Sequence, residues 1–266
     1  MNKVFKKFLN TLGFIIKVTA LTSTLSCVPL NTLSTLQSYS AFYEVSVRKN
    51  PSNEIKSVLK LTFDLPGDVL VSSATGFVIQ CSKSECPEFD AKPGTSLILT
   101  NNHFCEIGLD IPSGRFYLET YDSDQFSNTP ERHPIRLLKT DSSRDLCVLE
   151  AQMSLPSTKL SKTSGVQPGT AIRIIGAPLG TFPIITDTYV SGFIGASNLN
   201  GMISPMIDDI IMISGIIYPG HSGSPVFDKK GEVIGIIFIS IRRRFNTEYG
   251  GGAIPASEIR KFLKTL

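Results

Sequence analysis

After residue 57, nearly every apolar run in this chain is short and bounded by Gly, Pro, Asn or Asp. Val58-Leu59-Lys60-Leu61-Thr62-Phe63 alternates in part. Gly76-Phe77-Val78-Ile79, Ser96-Leu97-Ile98-Leu99-Thr100, Leu146-Cys147-Val148-Leu149, Ala171-Ile172-Arg173-Ile174-Ile175 and Val233-Ile234-Gly235-Ile236-Ile237 are compact and rich in β-branched residues. Runs of this length between turn formers suit a pleated ribbon better than a helix. One helix signal stands at the end, where Pro255 and Ser257 open it and Ile259, Phe262 and Leu263 make an apolar face. Many short strands with one terminal helix predict an all-β barrel or sandwich. No fixed-period repeat is visible.

With 41% hydrophobic and 18% charged residues, the chain is neither disordered nor a coiled coil. No run of about 18 apolar residues lacks a charge, which excludes a multi-span membrane protein. Charge is uneven. Residues 1–26 carry Lys3, Lys6, Lys7 and Lys17 without an acid, and the rest sets 22 basic against 23 acidic side chains. A basic start, an apolar middle from Phe8 and small residues near Ser26 form the layout of a signal peptide or a membrane anchor. Ser23-Thr24-Leu25-Ser26-Cys27 also offers a loose lipobox with Cys27 as the lipidation site. Export is the expectation, to a periplasmic, membrane-anchored or secreted location. Residues 27–55, rich in Ser, Thr, Asn and Leu, read as a linker, and 56–266 as the folded domain, with an internal boundary near 155–165. The near-neutral body lacks the positive field nucleic-acid binding needs, and Arg242, Arg243 and Arg244 read as a solvated loop.

Three histidines are present, His103, His133 and His221. Pro219-Gly220-His221-Ser222-Gly223-Ser224-Pro225 follows an apolar run and precedes a strand. A serine on such a turn projects Oγ outward, while Gly220 lets backbone N–H groups converge into an oxyanion hole. The alternative is an ordinary glycine turn. A serine nucleophile needs a base, and His103 follows a strand; the base needs an orienting carboxylate, and Asp145 opens one. His133, in Pro130-Glu131-Arg132-His133-Pro134, reads as a loop residue without a chemical role.

These stretches, with Thr75 to Ile79, Leu99-Thr100-Asn101-Asn102-His103, Arg144 to Leu149, Gln167 to Gly180, Gly231 to Ile236 and Gly252-Ala253-Ile254-Pro255, resemble the trypsin-like (chymotrypsin-fold) serine proteases, most closely the HtrA/Deg branch. The resemblance implies two antiparallel six-stranded β-barrels with a C-terminal helix and a cleft between them. It implies a serine endopeptidase acting on protein or peptide substrates, with Ser222 as nucleophile, His103 as general base and then acid, and Asp145 as orienter. The backbone N–H groups of Gly220 and Ser222 would form the oxyanion hole. A pocket would be walled by Ile216 and by Phe238, Ile239 and Ser240. Because no acid lies between Ile210 and Ser222, cleavage after small or medium aliphatic residues follows. No PDZ domain is expected within these residues, and the oligomeric state is not legible.

Two departures stand out. His221 replaces the usual Asn or Asp before the serine, and Ser224 replaces a glycine. His221 cannot pair with a freshly cut amino terminus, so no activation by such an insertion is expected. These two changes favour the alternative, a weak or inactive protease-fold protein that binds peptides. Cys81 and Cys86 enclose a short loop that a bridge could close. Cys105 and Cys147 lie two residues beyond His103 and Asp145 and could bridge if those side chains meet, the alternative being buried thiols. No His/Cys spacing fits zinc and no phosphate loop is present, so no metal or cofactor is expected.

Overall fold

A computed structural model describes residues 52–87, 92–120, 130–162, 166–195, 207, 209–242 and 248–266, backbone only at 241, 242, 248 and 249. All belong to the compact unit Arg48–Leu266. The basic amino-terminal segment, Cys27, Arg243, Arg244 and the Arg242 side chain lie outside the described residues.

Twelve strands close two antiparallel barrels. The first comprises β1 (Val58–Leu65), β2 (Val69–Val78), β3 (Ser96–Thr100), β4 (Arg115–Thr120), β5 (Glu131–Asp141) and β6 (Leu146–Ala151). The second comprises β7 (Ala171–Gly176), β8 (Ile184–Gly195), β9 (Asp209–Ile213), β10 (Pro225–Phe227), β11 (Val233–Arg242) and β12 (Glu248–Pro255). Their orders, β1-β2-β3-β6-β5-β4 and β7-β8-β9-β12-β11-β10, are the same path drawn twice.

The unbroken apolar character of several strands has a packing cause. On β6 every residue is buried. Leu146 and Val148 face a core shared by both barrels, while Cys147, Leu149 and Ala151 face the interior of the first. A strand covered on both sides has no polar face to alternate with. The shared core joins Phe77, Leu99 and Leu146 to Ile175, Phe227 and Ile236, and the second barrel encloses Ile172, Ile174, Ile211 and Ile213.

Among the described residues, three α-helices accompany the strands: α1 (Asn53–Lys56), α2 (Asn102–Asp110) and α3 (Ala256–Leu263). The terminal helix stands where the sequence places it. Its Ile259 and Phe262, fully buried in the shared core, contribute about 2 kcal/mol each. The other two were not anticipated; α1 begins in the stretch read as linker and ends at Lys56, and α2 carries His103. His133 is also not in a loop. It sits on β5 and shares a 2.9 Å hydrogen bond with Thr120 Oγ1. Pro134 is tolerated there because residues 131–134 pair with β4 alone, β6 joining only from Ile135. No helix among the described residues is long and apolar enough to cross a membrane.

Candidate active site

The register of β3 against β6 brings two of the three sequence-selected side chains together. Thr100 at the end of β3 lies opposite Cys147 at the start of β6. His103, three residues on, and Asp145, two residues back, therefore share one end of the first barrel. There Asp145 Oδ2 holds His103 Nδ1 at 2.8 Å, and Oδ1 accepts the His103 backbone N–H at 2.8 Å. Asp145 thus plays two parts. One oxygen satisfies an amide in the first turn of α2, which has no cap from its own Asn101, and the other fixes the imidazole. Asn101 Nδ2 instead donates to the Asp145 carbonyl at 3.1 Å, across a backbone turned to φ 53° at Asp145. The imidazole is 47% exposed and the carboxylate 23%, so the ring faces a visitor while its partner stays behind it. Two residues further along each chain, the Cys105–Cys147 disulfide ties α2 to β6, and Cys81–Cys86 closes the shorter loop.

Ser222 lies between β9 and β10, on a loop held against the first barrel by Thr75 of β2. The Thr75 N–H donates to Ser222 O at 2.9 Å, and its hydroxyl donates to Gly220 O at 2.7 Å. Thr75 O accepts the Thr100 hydroxyl at 2.7 Å, so the loop is anchored three residues from His103. A Cβ at Gly223 would overlap Thr75 O, and one at Gly220, where φ is 95°, would overlap Ala177 O. Only glycine lets the loop approach this closely.

The amides of this loop are unequally used. His221 N–H donates to Tyr218 O, Gly223 N–H to Ile237 O and Ser224 N–H to His221 O. Among the described residues, those of Gly220 and Ser222 have no protein acceptor. These are the two donors the sequence selects for an oxyanion hole. Ser222 Oγ makes no hydrogen bond to His103 among the described residues.

His221 is 2% exposed, and its Nδ1 accepts the Tyr218 N–H at 3.1 Å. Burial lowers its pKa below the usual imidazole range, against a smaller opposing effect of the Tyr218 amide. Of the pocket residues, Ile216 is 50% exposed while neighbouring Ile217 is core. Phe238, Ile239 and Ser240 are half-buried on β11. Beside Asp145, Arg144 bonds Asp141 at 2.7 Å and Glu258 of α3 at 3.3 Å. Burial by itself would raise the Asp141 pKa, but hydrogen bonds from Ser143 and Arg144 outweigh it and hold the carboxyl below its ordinary value. Thr75 and Thr100 were not singled out by role. Their signal was a hydroxyl in a fully buried stretch of strand, where an unbonded hydroxyl is costly.

Residues 74–236 match the trypsin-like peptidase domain family. Among curated proteins, the chain is 28% identical over 203 residues to the serine protease HTRA1B of Danio rerio, covering 74% of this chain and 35% of that protein. It is 32% identical over 168 residues to the serine protease HTRA1 of Xenopus tropicalis, covering 63% and 33%. A probable periplasmic DegP-like serine endoprotease of Marinomonas sp. (strain MWYL1) is 31% identical over 140 residues, covering 52% and 26%. The chain thus spans about a third or less of these relatives. Among solved structures, Deg5 superposes with a TM-score of 0.58 at 20% identity, covering 86% of this chain and 92% of that one. Rv3671c from M. tuberculosis H37Rv, in an inactive form, gives 0.56 at 20%, covering 79% and 85%. These likenesses show the fold.

Proposed function

The chain belongs to the trypsin-like peptidase domain family, and from that premise we propose that it is a serine endopeptidase cleaving protein substrates through an acyl-enzyme. The observation that carries this reading is the shared barrel end. An imidazole bonded to a carboxylate follows Thr100, whose hydroxyl bonds Thr75 O, and Thr75 in turn bonds the glycine loop that carries a serine and two uncommitted amides.

In this mechanism Ser222 Oγ attacks the scissile carbonyl carbon while His103 Nε2 takes its proton. Asp145 keeps the His103 proton on Nδ1 and stabilises the imidazolium that forms. The N–H groups of Gly220 and Ser222 meet the negative charge arising on the carbonyl oxygen, where fixed donors count most. His103 then protonates the leaving amine, and a water repeats the steps to release the acid. Ile216, Phe238, Ile239 and Ser240 wall the pocket for the residue before the cut. With no acid nearby, that residue is small or medium and aliphatic. The amino-terminal pattern and the periplasmic DegP-like relative support export, with Cys27 lipidation, signal cleavage or an uncleaved anchor as its three forms.

The test is reaction with a fluorophosphonate and mapping of the modified residue, paired with turnover of casein. The probe is expected on Ser222, and Ser222→Ala should lower turnover by roughly 10⁶-fold. If Ser222→Ala degrades casein as well as the native protein does, the assignment is wrong. A native protein that binds peptides yet leaves the probe unreacted supports the peptide-binding alternative, which the His221 and Ser224 departures favour.

A further inference from the structure

The geometry points to His221 as a positioning residue that holds the oxyanion loop open for catalysis, and whose protonation closes the site in acid. This rests on the hydrolase reading above and adds a regulation to it. In a neutral imidazole one nitrogen accepts and the other carries the proton. His221 Nδ1 accepts the Tyr218 N–H, so the proton sits on Nε2. That Nε2 is buried and has no partner among the described residues. The ring and the backbone together close the Tyr218–His221 turn, since His221 N–H also reaches Tyr218 O at 3.1 Å. Inside this doubly closed turn lies Gly220, at φ 95° with its amide uncommitted.

A second proton on the ring would convert Nδ1 from acceptor to donor and set it against the Tyr218 N–H. Two donors facing each other in a buried turn cannot both be satisfied. The turn must open, and the Gly220 N–H leaves the place where charge develops. Surroundings reinforce the neutral form. Of the segments that touch this loop, β2, β3, β10 and Ala177–Gly180 contain no Asp, Glu, Lys, Arg or His, and β7, which meets Ser224 at Gly176, carries only Arg173, paired with Asp187 at 2.7 Å. On β11 the one charged residue is Arg242, at its far end. Past the end of β3, His103 and Asp145 are bonded to each other. No carboxylate therefore offsets a charge on His221.

Two variants and one spectrum test this. His221→Leu fills similar space without an acceptor, and should lower kcat by roughly 10²-fold with KM little changed. His221→Asn places Oδ1 where Nδ1 accepted, cannot titrate, and should restore the kcat lost in His221→Leu. In the native protein the acid limb of log(kcat/KM) should steepen from one proton to two; in His221→Asn it should stay at one. Imidazole ¹⁵N shifts of Ser222→Ala protein should show His221 with bare Nδ1 and protonated Nε2, whatever the activity. The opposite tautomer, or a His221→Leu variant that reacts with fluorophosphonate as fast as the native protein, overturns the assignment. So does an acid limb that His221→Asn leaves unaltered. A native protein that does not react at all overturns the hydrolase reading instead, while the spectrum still reports on the turn.

Discussion

In the first barrel, the helix bearing His103 is bonded covalently to the strand that follows Asp145, and part-buried ion pairs brace the wall: Lys60–Glu119 at 2.9 Å, Arg136–Glu150 at 2.7 Å, and Arg132–Asp64. The second barrel contains no cysteine, because none follows Cys147. It is filled by isoleucines, and its Ser222 loop is held by glycine geometry and by hydrogen bonds reaching over from Thr75. On the proposed reading the two halves have different tasks. A base and its orienter must keep one separation, which a cross-link enforces. A nucleophile loop must leave two amides unbonded, so it cannot be secured by bonding all of its own backbone. Its support comes from the neighbouring barrel.

Four outcomes would break or sharpen this contrast. Asp145→Asn should lower kcat by about 10⁴-fold, because the amide permits the wrong imidazole tautomer. A small loss would mean the carboxylate serves the helix rather than the ring. Next comes the cross-link. Replacing Cys105 and Cys147 together by Ala opens a loop of 42 residues and should reduce unfolding free energy by about 4 kcal/mol, read from urea curves. No such change should follow from any single substitution that removes an exposed ion pair, such as Arg173–Asp187 on the second barrel.

Thr75→Val removes the hydroxyl that donates to Gly220 O and accepts the Ala177 N–H at 2.9 Å. A loss of about 2 kcal/mol in stability is expected, together with slower turnover. A variant that loses stability yet keeps kcat would show that the loop does not depend on this support for its geometry.

The smallest effect is in pH. His221 and Asp141 both have folded pKa values below their ordinary 6.5 and 3.8. In each case the unfolded chain binds more protons within the window, so stability is full above the ordinary value and falls as pH drops toward the folded one. Urea midpoints should therefore decline first below about 6.5, on account of the second barrel. They should decline again below about 3.8, on account of the Asp141–Arg144 turn. His221→Asn should erase the first decline only.

The strands were legible because double burial leaves short apolar runs between turn formers, as β6 shows. His103, Asp145 and Ser222 were selected as residue types in an order, with the resemblance supplying the proposed roles, and the structure joins the first two. Helix α2 was not legible, and the reason is physical. Its amide at His103 is satisfied by Asp145, 42 residues away, while Asn101, which occupies the capping position, spends its side chain on the Asp145 carbonyl. A helix capped from a distant strand carries little local signature. The two six-stranded barrels came through the resemblance alone, since the same strand order is built from unlike residues, phenylalanine and leucine in one barrel and isoleucine in the other.

That chain order has a consequence for biosynthesis. Strands β1 to β6 leave the ribosome before any part of the second barrel, and domains commonly fold as they emerge. A half-made polypeptide can already own its paired imidazole and carboxylate, yet it holds no reactive alcohol to use them. On the proposed reading, the complete site arises only when the later half docks and the Thr75 hydroxyl bonds Gly220 O.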